Sequence, residues 1–379
     1  MDFSLTEEQQ IFRDSVARFI ADKYSFAQRQ EIVATDLSFL PEHWACFAEL
    51  GWLAAPFPEE YGGLGGSPVE VMLLMEQFGR GLMVSPYLSS VVLGGYLVLL
   101  GGTEAQKQDI LPKLGAGELK LAFAFAEPGS RFDLHDVATI ASPDGDGYLL
   151  NGRKSVVFYA ETADEIIISC RTNGPQRDHD GISLVVIDSD AAGIGNQHFQ
   201  TQDGGRASEL ILKDVRVESD QIIGAPDHAL SLIEQVIDHG IGAVCAEATG
   251  AMWSIYEQTL AYLKTREQFG QTLGTFQSLQ HRMVDVYMKC ELAQSMSYEA
   301  TLNLEDANPV ERRRAASSAK YKIAKYGRDV GQEGVQLHGG IGMTMDIPVG
   351  HYFKRLTMIN ATFGDAAHHL RRYHQRLVD

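Results

Sequence analysis

Residues 119–126, Leu-Lys-Leu-Ala-Phe-Ala-Phe-Ala, mark the point at which the sequence pattern of this chain changes. Before them, apolar residues recur at the three- and four-residue spacing of helices. After them, as far as about Gly224, short runs rich in β-branched and aromatic residues alternate with turns, which is the pattern of strands. From Ala229 the helical spacing returns and continues nearly to the end of the chain.

This order predicts helices, then strands, then helices again. At 379 residues the chain is long for one hydrophobic core, because such cores usually split beyond about 250–300 residues. We therefore predict an α+β multidomain fold. It has an N-terminal helical domain (1–118), a middle β-barrel-like domain (119–226) and a C-terminal four-helix bundle (227–379).

Local signals place individual elements within these domains. Thr6-Glu7-Glu8-Gln9 has the form of a capping box, and Pro68 is suited to the first turn of a helix. The other predicted helices of the first domain are Leu37–Leu53, Pro68–Met83, Tyr87–Leu100 and Gln106–Leu114. The predicted strands are Leu121–Ala126, Val137–Ala141, Tyr148–Leu150, Glu165–Arg171, Ile182–Asp188 and Glu209–Val217. The C-terminal helical pattern breaks at Asn308-Pro309 and at 339–342.

Composition and charge restrict the function classes. A net charge of −18 argues against a nucleic acid or an anionic membrane as the main partner, because both demand a basic surface. The chain has no run of 18 apolar residues and no signal-peptide pattern, so we expect a cytoplasmic protein without a membrane span. The histidines and cysteines show no metal-binding spacing, so no metal site is predicted. Three of the four cysteines lie in apolar runs and are predicted to be buried, reduced thiols.

Three C-terminal segments carry the functional signal. They are Tyr262-Leu-Lys-Thr-Arg266-Glu-Gln-Phe269-Gly270 with the following Phe276-Gln277, then Gln332-Glu-Gly-Val-Gln336-Leu-His-Gly339-Gly340-Ile-Gly342, and then His351-Tyr-Phe-Lys354-Arg355. Each segment alone is more typical of a solvated helix face or a helix end. Together, in this order and at these distances, they resemble the acyl-CoA dehydrogenase family, and the resemblance covers the whole chain.

The resemblance implies an activity and a cofactor. Members of the family bind FAD and oxidise an acyl-CoA to the trans-2-enoyl-CoA, with a glutamate as the base and the flavin as hydride acceptor. The expected electron acceptor is an electron-transferring flavoprotein. The FAD of such enzymes lies across a subunit interface, where the neighbouring subunit holds the diphosphate and the adenine. The positions that match this second subunit's contacts are Arg266, Phe269, Phe276, Gln277, Gln336, Gly339 and Gly340.

The segments that match the family's flavin-contacting motifs depart from them. Where the family has Thr-Glu-Pro-x-x-Gly-Ser-Asp, Ala126 and Phe132 replace the threonine and the serine, and Ser130 takes over only if the loop shifts its register. Where the family has Asn-Gly-x-Lys-x-Trp-Ile-Thr, Val156 and Phe158 replace the tryptophan and the threonine. Four such changes among the positions that match the flavin contacts indicate that the flavin site is closed.

The catalytic glutamate of the family is also missing. Its usual position falls on Gly364, and a second position that some members use falls on Gly240. Asp365 lies one residue and Asp238 two residues from these positions, but on a helix each residue of shift turns the side chain by about 100°. Asp365 is the best remaining candidate for the base. Glu247, about two turns further along the helix from Gly240, is interpreted as structural.

Three functions remain open from the sequence. The first is a subunit that completes the FAD of a related partner in a heterotetramer, and the closest likeness is to the small subunit of a pimeloyl-CoA dehydrogenase-type enzyme. The second is a homomeric acyl-CoA dehydrogenase that uses Asp365. The third is a scaffold that binds acyl-CoA or a partner without redox chemistry. Because Arg266, Gln277 and Gln336 are retained, the sequence favours the first.

Overall fold

The computed structural model describes residues 4–36 and 39–378, with side chains as far as 374. Within these residues the chain forms eleven α-helices and ten strands. Leu37, at which the second predicted helix begins, lies outside the described residues. No helix in the described part of the chain is long and apolar enough to cross a membrane.

The N-terminal region is helical, as predicted. The capping box at Thr6 is confirmed, because the Thr6 Oγ1 accepts from the Gln9 N–H and the Gln9 side chain accepts from the Thr6 N–H. Thr103 and Gln106 form a second capping box, which was not predicted, at the start of the helix predicted over Gln106–Leu114. The helices are α1 (Glu7–Lys23), α2 (Phe26–Val33), α3 (Pro41–Glu49), α4 (Pro68–Gly81), α5 (Tyr96–Gly101) and α6 (Glu104–Gly115).

The predicted helix over Tyr87–Leu100 is confirmed, but it is not a regular α-helix throughout. A π-helix covers Leu88–Gly95, and α5 follows it. Two glycines of this π-helix pack closely against side chains from other elements. A Cβ on Gly94 would lie 2.4 Å from the Cβ of Leu121, and one on Gly95 would lie 2.5 Å from the ring of Phe57. Close packing at these two glycines therefore accompanies the irregular geometry.

The middle domain is a β-sheet domain. One sheet of eight strands runs in the order β6-β7-β3-β2-β4-β5-β8, and β1 pairs in parallel with β4. Two predicted strands, Glu165–Arg171 and Ile182–Asp188, have the predicted bounds, and β3 runs much further than Leu150. The strands are β1 (Leu121–Ala124), β2 (Ile140–Asp144), β3 (Gly147–Phe158), β4 (Glu165–Arg171), β5 (Ile182–Asp188), β6 (Ile194–Gln200), β7 (Arg206–Val217) and β8 (Ile222–Ile223).

The C-terminal domain is helical, with α9 packed against α8, α10 and α11. The predicted breaks are confirmed: Asn308 caps α9, Pro309 is its first residue, and Gly339 ends it with a φ of +68°. A two-stranded hairpin joins α7 to α8. The elements are α7 (Leu230–Thr265), β9 (Glu267–Gln268), β10 (Gln271–Thr272), α8 (Gln277–Leu302), α9 (Pro309–His338), α10 (Pro348–Ala361) and α11 (Ala366–Val378).

The contacts between residues divide the chain into two compact units. The first unit contains Met1–Glu31, Pro68–Met83 and Ile241–Asp379, and the second contains Ile32–Ser67 and Val84–Gly240. In the first unit, α4 and α7 cross at two glycines. A Cβ on Gly79 would lie 1.9 Å from the Glu247 carbonyl oxygen, and one on Gly250 would lie 1.9 Å from that of Glu76. The domain boundaries near 118 and 226 stay a prediction.

Candidate functional site

The first motif forms a hairpin that projects from the end of α7. Its turn, Phe269-Gly270, has φ values of +55° and +80°, which is the type I′ geometry of a two-residue hairpin. Phe269 is 90% exposed, and its ring meets that of Phe276 edge-on at 6.3 Å. Arg266 opens the hairpin, and its backbone carbonyl accepts from the Leu273 N–H. The hairpin therefore presents a bulky aromatic residue at its tip.

The second motif lies beside the first. The ring of His338, the last residue of α9, stacks on that of Tyr262 with 4.5 Å between the centroids. The His338 Nδ1 lies 2.8 Å from the Gly334 carbonyl oxygen, so this nitrogen carries the proton and donates. Leu263, Met283 and Leu337 pack together in a buried cluster. This packing brings the segment at 262–270 next to the segment at 336–340.

The polar groups of these two segments are exposed and uncommitted. The side chains of Arg266, Gln277 and Gln336 make no hydrogen bond or ion pair to any described residue. Gly339 and Gly340 are exposed, and a Cβ on either would meet no atom within 4 Å. A guanidinium, two amides and open glycine backbone are the donor set that suits a diphosphate and an adenine.

In the middle domain a buried ion pair, which sequence reasoning missed, joins the two segments that match the flavin motifs. The Lys154 Nζ lies 2.6 Å from a Glu127 carboxylate oxygen and donates to the Ser169 hydroxyl at 3.0 Å. Glu127 also accepts from the N–H groups of Ala138 and Thr139. Burial lowers the pKa of Lys154 and works to raise that of Glu127, but the lysine holds the carboxyl pKa below its usual value. The carboxyl and the amine are therefore each other's main electrostatic partner in this interior.

The hydroxyl groups that a flavin would need are absent or engaged. Ala126 and Phe158 have none. The Ser130 hydroxyl accepts from the Glu127 N–H at 3.2 Å and donates to the Glu127 carbonyl at 3.1 Å, so the loop holds it without a register shift. Val156 lies at an irregularity of β3 with a φ of +52° and is 42% exposed.

The position of the missing glutamate is closed by packing. Gly364 has a φ of +113°, and a Cβ there would lie 2.6 Å from the His368 ring and 2.8 Å from the His369 Nε2. The fully buried Lys320 donates to the Gly364 carbonyl at 2.8 Å. His369 is also buried, and its Nε2 donates to the Phe363 carbonyl at 3.0 Å. The turn is therefore fixed on both sides, and a side chain at 364 has no room.

The neighbouring carboxylates have other partners or lie in the interior. The Asp365 Oδ1 accepts from the His368 N–H at 2.7 Å, so Asp365 caps α11. Glu247 forms a two-oxygen pair with Arg355, with both distances 2.6 Å. Asp238 lies on α7 and is fully buried.

Three family models match consecutive parts of the chain. They describe the N-terminal, middle and C-terminal domains of acyl-CoA dehydrogenase, and they match residues 6–118, 122–215 and 230–378. The chain belongs to the acyl-CoA dehydrogenase family. Acyl-CoA dehydrogenases are FAD-dependent oxidoreductases that act on a CH–CH bond, so the predicted family, fold and general function are confirmed.

Individual acyl-CoA dehydrogenase relatives match over nearly their whole length. The probable acyl-CoA dehydrogenase YngJ of Bacillus subtilis is 32% identical over 347 residues, which cover 90% of each chain. The caffeyl-CoA reductase-Etf complex subunit CarC of Acetobacterium woodii is 29% identical over 354 residues, or 92% of each chain. Among solved structures, a variant of the Tcur3481-Tcur3483 steroid ACAD is 28% identical, covers 98% of each chain and has a TM-score of 0.88.

Members of the acyl-CoA dehydrogenase family bind FAD, and the two halves of the site differ in how well they suit it. The open donors at Arg266, Gln277 and Gln336 match its diphosphate and adenine. The segments around Ala126 and Phe158 offer no free hydroxyl for hydrogen bonds to the flavin ring. This chain therefore fits one half of FAD and not the other.

Proposed function

We propose that this acyl-CoA dehydrogenase chain is the FAD-completing subunit of a heteromeric enzyme. The packing around Gly364 carries the proposal, because it leaves no space for a base at the family's glutamate position. Arg266, Gln277 and Gln336, in contrast, are free to reach a ligand outside the chain. On this proposal a related subunit owns the flavin pocket and the glutamate, and this chain holds the diphosphate and the adenine of that subunit's FAD.

The proposed reaction is the oxidation of an acyl-CoA to the enoyl-CoA. Removal of the α-proton requires hydrogen bonds to the thioester oxygen, which stabilise the enolate, and a carboxylate base in a dry pocket. On this proposal the partner subunit supplies both. The names of two relatives support the assembly, because one steroid ACAD carries the double name Tcur3481-Tcur3483 and the other relative is named as a subunit of a caffeyl-CoA reductase-Etf complex. We propose an electron-transferring flavoprotein as acceptor and the cytoplasm as the location.

The homomeric alternative depends on Asp365 as the base. Its carboxylate already accepts the His368 N–H and caps α11, so its use as a base would remove a helix cap. The scaffold alternative leaves the open donors at Arg266 and Gln336 without a ligand. Both observations favour the heteromeric proposal.

The test is the visible absorption spectrum of the purified chain, alone and after co-expression with a family member that retains the motif threonine, tryptophan and glutamate. We expect a colourless chain alone, and a yellow complex with one FAD for every two chains. Arg266→Gln is expected to lower the FAD content of the complex, whereas the matched control Lys213→Gln, at an exposed lysine of β7, is expected to leave it unchanged. A full flavin spectrum from the single chain, bleached by an acyl-CoA, would refute the proposal.

A further inference from the structure

One face of α9 carries a row of exposed cations, which we call the cationic face: Arg314, Lys322, Lys325 and Arg328. With about 100° between successive residues, these four positions fall within an arc of about 120°. Gln336 falls within the same arc, about 12 Å along the helix axis from Arg328. The row therefore leads to one of the residues proposed to contact FAD.

The acidic residues of α9 do not neutralise this face. The helix contains three of them, and each already has a basic neighbour. Asp329 pairs with Lys289 at 2.9 Å, and Glu333 pairs with Arg282 at 2.7 Å. Glu311 lies 3.7 Å from Arg314, at the far end of the row.

The cations beyond Arg314 have no acidic partner among the described residues. Lys322 and Lys325 lie over the rings of Tyr326 and Tyr321, at 5.8 Å and 5.3 Å from the ring centroids. Arg328 makes no hydrogen bond or ion pair to any described residue. The two lysines are thus held in place by aromatic rings while their charges stay available, which suits binding to an external anionic surface.

The composition of the chain makes such a row unusual. The chain has 50 acidic and 32 basic residues, so basic residues are the minority overall. A solvated helix face commonly alternates acidic and basic residues at i,i+4 spacing, which relieves repulsion between like charges. Between Arg314 and Arg328 the helix carries no acidic residue, and Asp329, four residues after Lys325, is already paired with Lys289. An acidic partner surface would relieve the repulsion between the cations.

We infer that the C-terminal half of the cationic face, Lys325 and Arg328, is the docking surface for an acidic surface of the partner acyl-CoA dehydrogenase subunit. The inference rests on the proposed function, which requires the partner's FAD to reach Gln336. An interface of about 800 Å² per partner is roughly 30 Å across. An interface centred on Gln336 therefore covers Arg328, about 12 Å away along the helix axis, and has Lys325, about 16 Å away, at its rim. The charges set the position in which the partner's FAD meets Gln336.

The test uses the co-expressed complex and the double charge reversal Lys325→Glu/Arg328→Glu. The matched control is Arg18→Glu/Lys213→Glu, which makes the same charge change at two exposed residues of α1 and β7. Sedimentation velocity over a series of NaCl concentrations gives the dissociation constant and its salt dependence, and absorption gives the FAD content. Far-UV circular dichroism checks that both variants are folded.

We expect the variant of the cationic face to raise the dissociation constant by about tenfold or more at low salt, because two attractive pairs become repulsive. Its complex should also depend less on salt than the wild-type complex, and the control should match the wild type. An unchanged dissociation constant and salt slope in a yellow complex would overturn the docking surface and leave the proposed function intact. Failure of the wild-type chains to form any flavin-containing complex would overturn both.

Discussion

Gly364, which the sequence assigns to the position of the family's base, has a backbone that only glycine adopts readily, and a Cβ there would collide with two histidine rings. Gly364→Glu is therefore expected to cost about 3 kcal/mol or more of unfolding free energy, from the left-handed φ and the collision together. It is also expected to give no dehydrogenase activity. Urea unfolding and flavin bleaching by an acyl-CoA measure the two effects.

Gly145 supplies a matched control for this substitution. It also has a positive φ, +63°, but a Cβ there would meet no atom within 4 Å. Gly145→Glu is expected to lower the unfolding free energy by about 1 kcal/mol, because only the left-handed backbone is unfavourable there. Equal costs at the two glycines, or a stable Gly364→Glu chain that bleaches flavin, would contradict the closed position.

At Phe269 the native residue itself is unfavourable for the stability of the isolated chain. It occupies the first turn position of a type I′ hairpin, where asparagine is preferred, and its ring is almost wholly in solvent. Phe269→Asn is expected to stabilise the chain alone by about 0.5–1 kcal/mol and to lower the FAD content of the co-expressed complex. Phe269→Ala should lose FAD without gaining stability, which separates the ring from the turn. Full FAD retention in both variants would rule out a role for the ring.

At the scale of elements, Lys320 joins α9 to the turn between α10 and α11. It is fully buried and donates to the carbonyl groups of Asn360 and Gly364, at 3.2 Å and 2.8 Å. Burial lowers its pKa from 10.5 to about 8. Between these two values the unfolded chain binds more protons than the folded chain, so the Lys320 contribution to stability rises with pH.

The consequence is a pH-dependent difference between the wild type and Lys320→Met. The stability advantage of the wild type is expected to grow by about 2–3 kcal/mol from pH 7 to pH 10, because only the wild type carries this titration. Urea unfolding at both pH values measures it. For Lys213→Met, at an exposed lysine, the difference from wild type should stay constant. If the difference in unfolding free energy between the wild type and Lys320→Met became smaller as the pH rises, the lowered pKa of Lys320 would be contradicted.

Sequence patterns predicted the elements whose signals are local. The capping box at Thr6 is a four-residue signal, and Glu165–Arg171 and Ile182–Asp188 are short apolar runs with clear ends. β6 was missed because Ile194–Gln200 is largely polar, since it lies at the edge of the sheet. The π-helix at Leu88–Gly95 was missed because a continuous apolar run does not distinguish α from π turns.

The residues of the candidate site also differ in whether local sequence predicts them. The exposed motif positions lie close together along the chain, so the sequence alone could place Arg266, Phe269 and Gln277. The ion pair of Glu127 with Lys154 joins residues 27 positions apart, and only the folding of the sheet brings them together. The collision at Gly364 likewise depends on how α11 packs, which no spacing rule supplies.

At the scale of the whole molecule, the reactivity of the cysteine thiols can measure the unfolding of each of the two compact units separately. Cys170 is buried in the second unit, and Cys245 and Cys290 are buried in the first. Burial raises the pKa of each of these three to about 12, whereas Cys46 is partly exposed. At pH 8 a thiol with such a pKa reacts roughly a thousandfold more slowly than an ordinary cysteine, because the thiolate is the reactive form.

We therefore expect a thiol reagent to modify Cys46 alone in the native chain. In rising urea, Cys245 and Cys290 should become reactive together, because they belong to one unit, and Cys170 should follow its own transition. Pulsed alkylation with peptide mass spectrometry measures all four sites in one experiment. Different midpoints for Cys245 and Cys290 would show that the first unit does not unfold as one body.

The ion pair between Glu127 and Lys154 has a consequence for the chain before it meets any partner. The pair needs no ligand to neutralise it, and the Ser155 N–H reaches the Ala126 carbonyl at 2.9 Å, so both segments are already tied together. A newly synthesised chain thus offers proteases no loose loop at this place. On the heteromeric proposal, the two subunits can accordingly be made at different times or in unequal amounts, and surplus of this chain persists until its counterpart appears.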